Sequence, residues 1–280
     1  MVKVNLALLG GLRLQTDSGE PVPLSTKKVG ALLTYLALHP GQAQARPKLA
    51  TLLWGDRSEV QARESLRQAL SLVRKALSHV DTRGLIAYQD TISLEPTALT
   101  TDAIVFGDLV GRSGIQSLEE AIALYGGELL EGVQIAAPEF ESWMTAERER
   151  FREMALEAMT TLLDHHLSAG VVERGIRIAA QLLATDPLQE RVHRTLMELY
   201  CRQGRHGAAL RQYRTYADLL AKELGIDPDA TTKHCVATFS KRGTNSRAGP
   251  QAVFIWLRLN PSTRSRMNRG LRRAHLSAGK

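Results

Sequence analysis

Arg63, Arg67 and Arg74 are spaced by four and then seven residues. On a helix turning about 100° per residue they fall on one narrow stripe. Ser71 and Ser78 lie beside it, with Gln68 and Lys75 farther round. A guanidinium can donate two parallel hydrogen bonds to the O6/N7 edge of guanine, and a glutamine amide can pair with the N6/N7 edge of adenine. Neighbouring cations can hold the phosphates. This chemistry is recognition of a duplex rather than bond making. Ordinary solvated helices carry similar stripes, so the pattern gains weight only from the elements that present it.

The stripe belongs to Glu59–Val80, a stretch free of Gly and Pro in which Ala62, Leu66, Ala69, Leu70, Val73, Ala76, Leu77 and Val80 share one arc. An apolar arc beside a basic stripe predicts a helix that buries one face and exposes the other. Upstream, Val2–Leu9, Leu12–Gln15 and Val22–Leu24 read as short strands, with turns at Gly10-Gly11 and Asp17-Ser18-Gly19. Ser25 or Thr26 can cap a helix that runs to His39 and stops at Pro40-Gly41. A second helix starts at Arg46-Pro47, with Pro in its first turn, and breaks at Gly55-Asp56. Trp54 and Leu66 read as core. After the long helix, Leu85–Tyr88 and Thr91–Leu94 flank Gln89-Asp90, a two-residue hairpin connection.

Small strands, three helices and a closing hairpin make the plan of a winged helix-turn-helix, whose third helix enters the major groove. Two stretches, LSTKKVGALLTYLALHPG (24–41) and RPKLATLLWGDRSEVQARESLRQALSLVRKAL (46–77), resemble the DNA-binding domain of SARP-type transcriptional activators, a variant of the OmpR-type winged helix. The LLWGD block followed by ARxSLRQAL carries the match in residue type and spacing. The resemblance implies that Arg63, Ser65, Arg67 and Gln68 lie near the groove. Lys27 and Lys28 at the start of the first helix, Arg46 at the start of the second and Arg74 are then expected to contact phosphates. Glu64, set among the arginines, would repel phosphate, and is expected to pair with a neighbouring base or accept from a cytosine amino group.

From about Asp102 the pattern is helical. Ser117 and Glu120 have the spacing of a capping box, and Glu139 to about Ser168 reads as a long helix. Beyond it, Leu162, His166, Gly170, Gly175, Ala179 and Leu183 realign with Leu196, Tyr200, Gly204, Ala209, Tyr213 and Ala217 at an offset of 34 residues. That is the tetratricopeptide period, and such units must stack to bury their apolar faces. With AKELGIDPDA (221–230), this region resembles the bacterial transcriptional activator domain of the same family, all-helical and used for dimer or RNA polymerase contacts. Residues 231–280 hold eleven basic and no acidic side chains, one apolar island (Ala252–Leu259) and a weak helical stretch, Lys233–Phe239. A disordered basic extension, a partly folded cap and an altered reading frame all fit such a tail, which says nothing about function.

Charge divides the same way. Residues 1–100 carry a net +4, 101–230 carry −8 and 231–280 carry +11 within an overall +7. No apolar run reaches the ~18 residues of a membrane span. The opening MVKVNLALLGGLRL reads as a strand pair rather than a signal peptide. Cys201 and Cys235 suit neither a disulfide framework nor a zinc site. Motifs with a catalytic mechanism are missing, and adjacent His165 and His166 point to different helix faces.

The expected fold class is mainly α: an N-terminal winged helix-turn-helix with small β elements, then an all-helical tetratricopeptide-like domain. The expected domains are 1–98, 99–230 and a poorly ordered basic tail, 231–280. The expected function is sequence-specific DNA binding in transcriptional regulation, as an activator. The expected partners are double-stranded DNA, RNA polymerase and a second copy of the chain, in the cytoplasm at the nucleoid, with no membrane, cofactor, metal or enzymatic activity. The alternative is a helical-repeat scaffold whose winged helix binds protein.

Overall fold

The structure is a computed structural model that describes residues 4–79, 84–112 and 114–243. The expectations for Val80 and for the tail beyond 243, with its apolar island, lie outside the described residues. Residues 1–227 form one compact unit, and the chain from Pro228 belongs to a second.

The first unit opens on β1 (Val4–Ala7) and β2 (Arg13–Thr16), paired antiparallel with Leu6 opposite Leu14. Val4, Leu6, Leu8 and Leu14 are buried, the period-2 pattern of a half-buried strand pair. Gly10 has φ +90°, and a Cβ there would lie 3.0 Å from the carbonyl carbon of Gly126, so both the turn and a close chain approach require glycine. The expected third strand at Val22–Leu24 is a single bridge between Pro21 and Gln15. Pro21 and Pro23 flank Val22, and proline cannot donate to a ladder.

Helix α1 (Lys27–Ala37) starts at Thr26, whose hydroxyl accepts from the Val29 amide at 3.2 Å, and it ends two residues before His39. Every residue from Val29 to Ala37 is buried. A two-residue strand, β3 (Gln44–Ala45), leads into α2 (Arg46–Trp54). Helix α3 (Glu59–Ala76) begins at Ser58, which accepts from the Gln61 amide, and tightens into a 3₁₀ turn over Leu77–His79. The hairpin is β4 (Leu85–Tyr88) and β5 (Thr91–Leu94), with Gln89 at φ 48°, the left-handed conformation a two-residue turn demands. Strand β3 pairs with the other edge of β5, so the wing has three strands. A last strand, β6 (Thr100–Thr101), pairs parallel with β1.

Helices follow: α4 (Asp102–Gly111), α5 (Ile115–Leu124), α6 (Pro138–Ser168), α7 (Val172–Thr185), α8 (Glu190–Arg202) and α9 (His206–Leu224). Helix α5 begins a half-turn before the expected capping box: Gly114 is its N-cap, and Ser117 and Glu120 lie inside it without a capping bond. Its buried set, Leu118, Ala121 and Ile122, follows Ile115, so the apolar face rather than the box sets the start. The 34-residue offset marks equivalent places in two helical hairpins. Gly170 and Gly204 end α6 and the α8 turn with φ 70° and 71°, and Leu162 and Leu196 are both buried. A Cβ on Gly175 would lie 3.2 Å from Leu199 Cδ1, where α7 crosses α8.

One apolar core runs through strands and helices alike, from Val4 to Leu196. The segment after α5 joins the N-terminal sheet: the Leu130 amide donates to Leu8 O (2.8 Å), and the Gly10 amide to Glu128 O (3.0 Å). Asp102 receives the amides of Leu8 and Leu9 at 2.8–3.1 Å, and the Trp143 ring of α6 meets Tyr35 of α1 edge-on, 4.9 Å between centroids. In the second unit, α10 (Ala230–Gly243) starts at Asp229, whose carboxylate accepts from the Thr232 amide. It extends the weak helical stretch expected at Lys233–Phe239 in both directions.

Candidate nucleic-acid interface

Helix α3 buries Ala62, Leu66, Ala69, Leu70, Val73 and Ala76, and packs by that face against α1 and α2. The opposite arc is exposed along its whole length: Val60, Arg63, Glu64, Arg67, Gln68, Ser71, Arg74 and Lys75. The side chains of Arg63 and Arg67 are 61% and 76% exposed, so none of the described residues of the first unit covers them. On the helical wheel Val60, Glu64 and Ser71 form the middle of this arc. The arginines line one border, with Gln68 and Lys75 on the other.

Two of the three arginines are already paired. Arg63 bonds Glu59 one turn back at 2.5 Å. Arg67 embraces Glu64 side-on, Nε to Oε2 at 3.0 Å and Nη2 to Oε1 at 2.8 Å, and Gln68 Nε2 donates to the same Oε1 at 3.1 Å. The Arg67 hydrogen bonds, then that of Gln68, lower the Glu64 pKa, and the Glu64 bonds raise that of Arg67. The carboxylate and the guanidinium are therefore both charged and oriented by each other. Glu64 thus pairs with a neighbouring base, one of the two roles expected for it.

The other expected residues divide. Ser65 is half-buried on the flank; its hydroxyl donates to Gln61 O (2.8 Å) and accepts from Arg57 Nη1 (2.9 Å). Lys27 is exposed. Lys28 turns inward: its ammonium donates to Leu53 O at 2.5 Å, lies 3.9 Å from Asp56 and sits over the Trp54 ring. It therefore caps an orphan carbonyl at the end of α2, and the phosphate role expected for it does not fit that position. Arg46 is half-buried, and its amide donates to Asp90 O at 2.9 Å, tying the hairpin turn to the start of α2. Arg74 and Lys75 stand free of ion pairs among the described residues.

Two features were missed in the sequence. Arg57 precedes the α3 cap and steadies Ser65. Tyr88 on the wing is 69% exposed, beside Ile86 at 43%. Described residues 85–94 carry no cation and one acid, Asp90, so the surface of the hairpin presents a phenol rather than a positive charge.

The remaining polar clusters belong to packing. His166 is buried with Nε2 3.5 Å from Glu119, while His165 is exposed. Burial lowers the His166 pKa. Among the described residues no group of three His, Cys, Asp or Glu could hold a metal ion, and no helix is long and apolar enough to cross a membrane.

Residues 111–238 match the bacterial transcriptional activator domain. The chain is 30% identical over 236 residues to the regulatory protein AfsR of Streptomyces coelicolor, covering 80% of this chain but only 23% of AfsR. It is 28% identical over 243 residues to the transcriptional regulator RedD of the same organism, covering 81% of this chain and 67% of RedD. The transcriptional regulatory protein EmbR of Mycobacterium tuberculosis is 26% identical over 248 residues, covering 82% of this chain and 62% of EmbR. A solved structure of EmbR with a low-affinity phosphopeptide superposes with a TM-score of 0.60 at 23% identity, over 86% of this chain and 66% of that one. That likeness supports the fold, a mainly helical chain with small N-terminal strands. The activator-domain match, joined to relatives similar along most of this chain, supports a SARP-type transcriptional regulator.

Proposed function

We propose that this chain is a sequence-specific DNA-binding transcriptional regulator, acting as an activator, with α3 lying in the major groove. One observation carries the reading: the basic face of α3 is uncovered along its length while its apolar face anchors it to α1 and α2. The regulatory names of the relatives support it. Arg63, Arg67 and Gln68 read base edges, and Ser65, held by Arg57, fixes the start of the reading face. Lys27, Arg46 and Arg74 hold phosphates. Lys28 stays with the fold. The division into a DNA-binding part up to about residue 98 and a helical part from 99 to about 230 belongs to the same reading. The helical part contacts RNA polymerase or a second copy of the chain, and the protein works at the nucleoid, in the cytoplasm. It is not an enzyme.

The test is fluorescence anisotropy of the full chain on a preferred and a random duplex across salt concentrations. Arg67→Ala is expected to weaken the preferred site by about 5- to 150-fold and random DNA far less. Arg74→Ala is expected to weaken both alike and to flatten the salt slope by ~1. Equal losses on both duplexes for both variants would contradict the assignment.

A further inference from the structure

The middle of the α3 outward arc is occupied not by an arginine but by Glu64, and the two side chains best suited to reading bases, Arg67 and Gln68, both bond to it. A carboxylate at the centre of a DNA-binding face works against phosphate affinity, because the duplex carries one negative charge per ~1.7 Å of axis. The local structure gives it no other reason to be there. Glu59, in the first turn, favours the positive end of the helix, and a mid-helix ion pair on an exposed face adds little to stability.

Counting donors shows what the arrangement leaves available. Arginine has five N–H groups. Glu64 takes the one on Nε and one on Nη2, so three remain, enough for the two parallel bonds that guanine requires. The Gln68 amide gives one N–H to Glu64 and keeps one N–H and its oxygen, the donor and acceptor that adenine requires. Pairing with Glu64 thus holds both readers in one orientation without using up the atoms that read.

We propose that Glu64 is the specificity-determining residue of α3, a positioning group that aims Arg67 and Gln68 at adjacent base edges and keeps Arg67 off the phosphates. In the groove its carboxylate also disfavours base edges that present only acceptors and tolerates those that offer an amino group, cytosine N4 or adenine N6. The proposal rests on α3 binding duplex DNA. It predicts that removing the negative charge makes the protein bind DNA more tightly and less selectively.

The experiment selects preferred duplexes from a random pool with the full chain and with its Glu64→Gln and Arg67→Ala variants. Binding of each to the wild-type preference and to random duplex is then measured across salt concentrations. Glu64→Gln is expected to bind random duplex several-fold more tightly, with a salt slope steeper by ~1 as Arg67 turns to a phosphate. Its ratio of preferred to random binding is expected to fall by about tenfold, with preference lost at one or two adjacent base pairs only. Glu64→Ala should match it, and because the side chain is exposed the melting temperature should hold. A Glu64→Gln variant that selects the wild-type sequence with an unchanged ratio overturns the proposal while leaving DNA binding intact. A wild-type chain that selects no sequence overturns the DNA-binding reading, and this proposal with it.

Discussion

Lys27 and Lys28 are neighbours that the sequence treats alike, and exchanging each for methionine separates contact with DNA from support of the fold. Methionine keeps an unbranched apolar stem of similar reach and removes the charge. At Lys28 that removes a 2.5 Å hydrogen bond to Leu53 O, the approach to Asp56 and the cation over Trp54. A hydrogen bond from a charged donor contributes about 1.5–3 kcal/mol when its partner is buried. The Lys28 side chain is 22% exposed, so water recovers part of it and the expected loss is about 1–2 kcal/mol. For a unit of this size each kcal/mol lowers the melting temperature by about 2–4 °C. Lys28→Met should therefore melt about 2–8 °C lower, read by circular dichroism, and bind random duplex with an unchanged salt slope. Lys27→Met should leave the melting temperature in place and flatten the slope by ~0.9, one phosphate contact. If Lys28→Met instead melted normally and flattened the slope, the inward placement of Lys28 would be wrong.

Two further outcomes follow from the packing. His193 is buried, its Nε2 bonded to Pro187 O and its Nδ1 to Gln212, and burial lowers its pKa against the smaller raising effects of the Pro187 carbonyl and Glu190. A lowered histidine pKa means full stability above the unfolded value of about 6.5 and loss as pH falls through the folded one. The melting temperature should drop below about pH 6.5 and drop less in His193→Gln. Asp102 and Glu198, raised chiefly by burial, contribute with the opposite sign, so the difference between the two proteins is the quantity to read; parallel curves would exclude the histidine. Gly10→Ala combines a left-handed φ with a Cβ 3.0 Å from the Gly126 backbone and should cost about 1–3 kcal/mol, seen as a lower urea midpoint; an unchanged midpoint would show that this crossing has slack.

Much of the fold is legible in the residues because its longer elements are local. Glu59–Ala76 announces itself by an unbroken apolar arc, the hairpin by its two-residue turn, and the helical hairpins by repeating glycines at 170 and 204. What escaped notice depends on partners far along the chain. Strands β3 and β6 are two residues each and exist because β5 and β1 offer them a free edge. The start of α5 follows burial of Leu118, Ala121 and Ile122 rather than the Ser117–Glu120 spacing. The site divides by the same rule. Glu64, Arg67 and Gln68 are three and four residues apart, so their meeting could be read from helical geometry. Nothing local distinguishes Lys28 from Lys27, because Leu53 lies 25 residues away. The shared core has a practical consequence: Leu8, Leu9 and Gly10 hold the chain at Glu128–Leu130, so DNA binding is better measured on the full chain than on its first hundred residues.

Every role proposed for α3 depends on its meeting base edges in the major groove. Dimethyl sulfate methylation of guanine N7 on a duplex selected by the full chain tests this directly, since N7 lies on the major-groove edge. The expected result is protection at guanines within the selected site, with one of them becoming reactive again in Arg67→Ala while the complex still forms. A stable, sequence-selective complex in which every guanine N7 remains as reactive as in free DNA would contradict it.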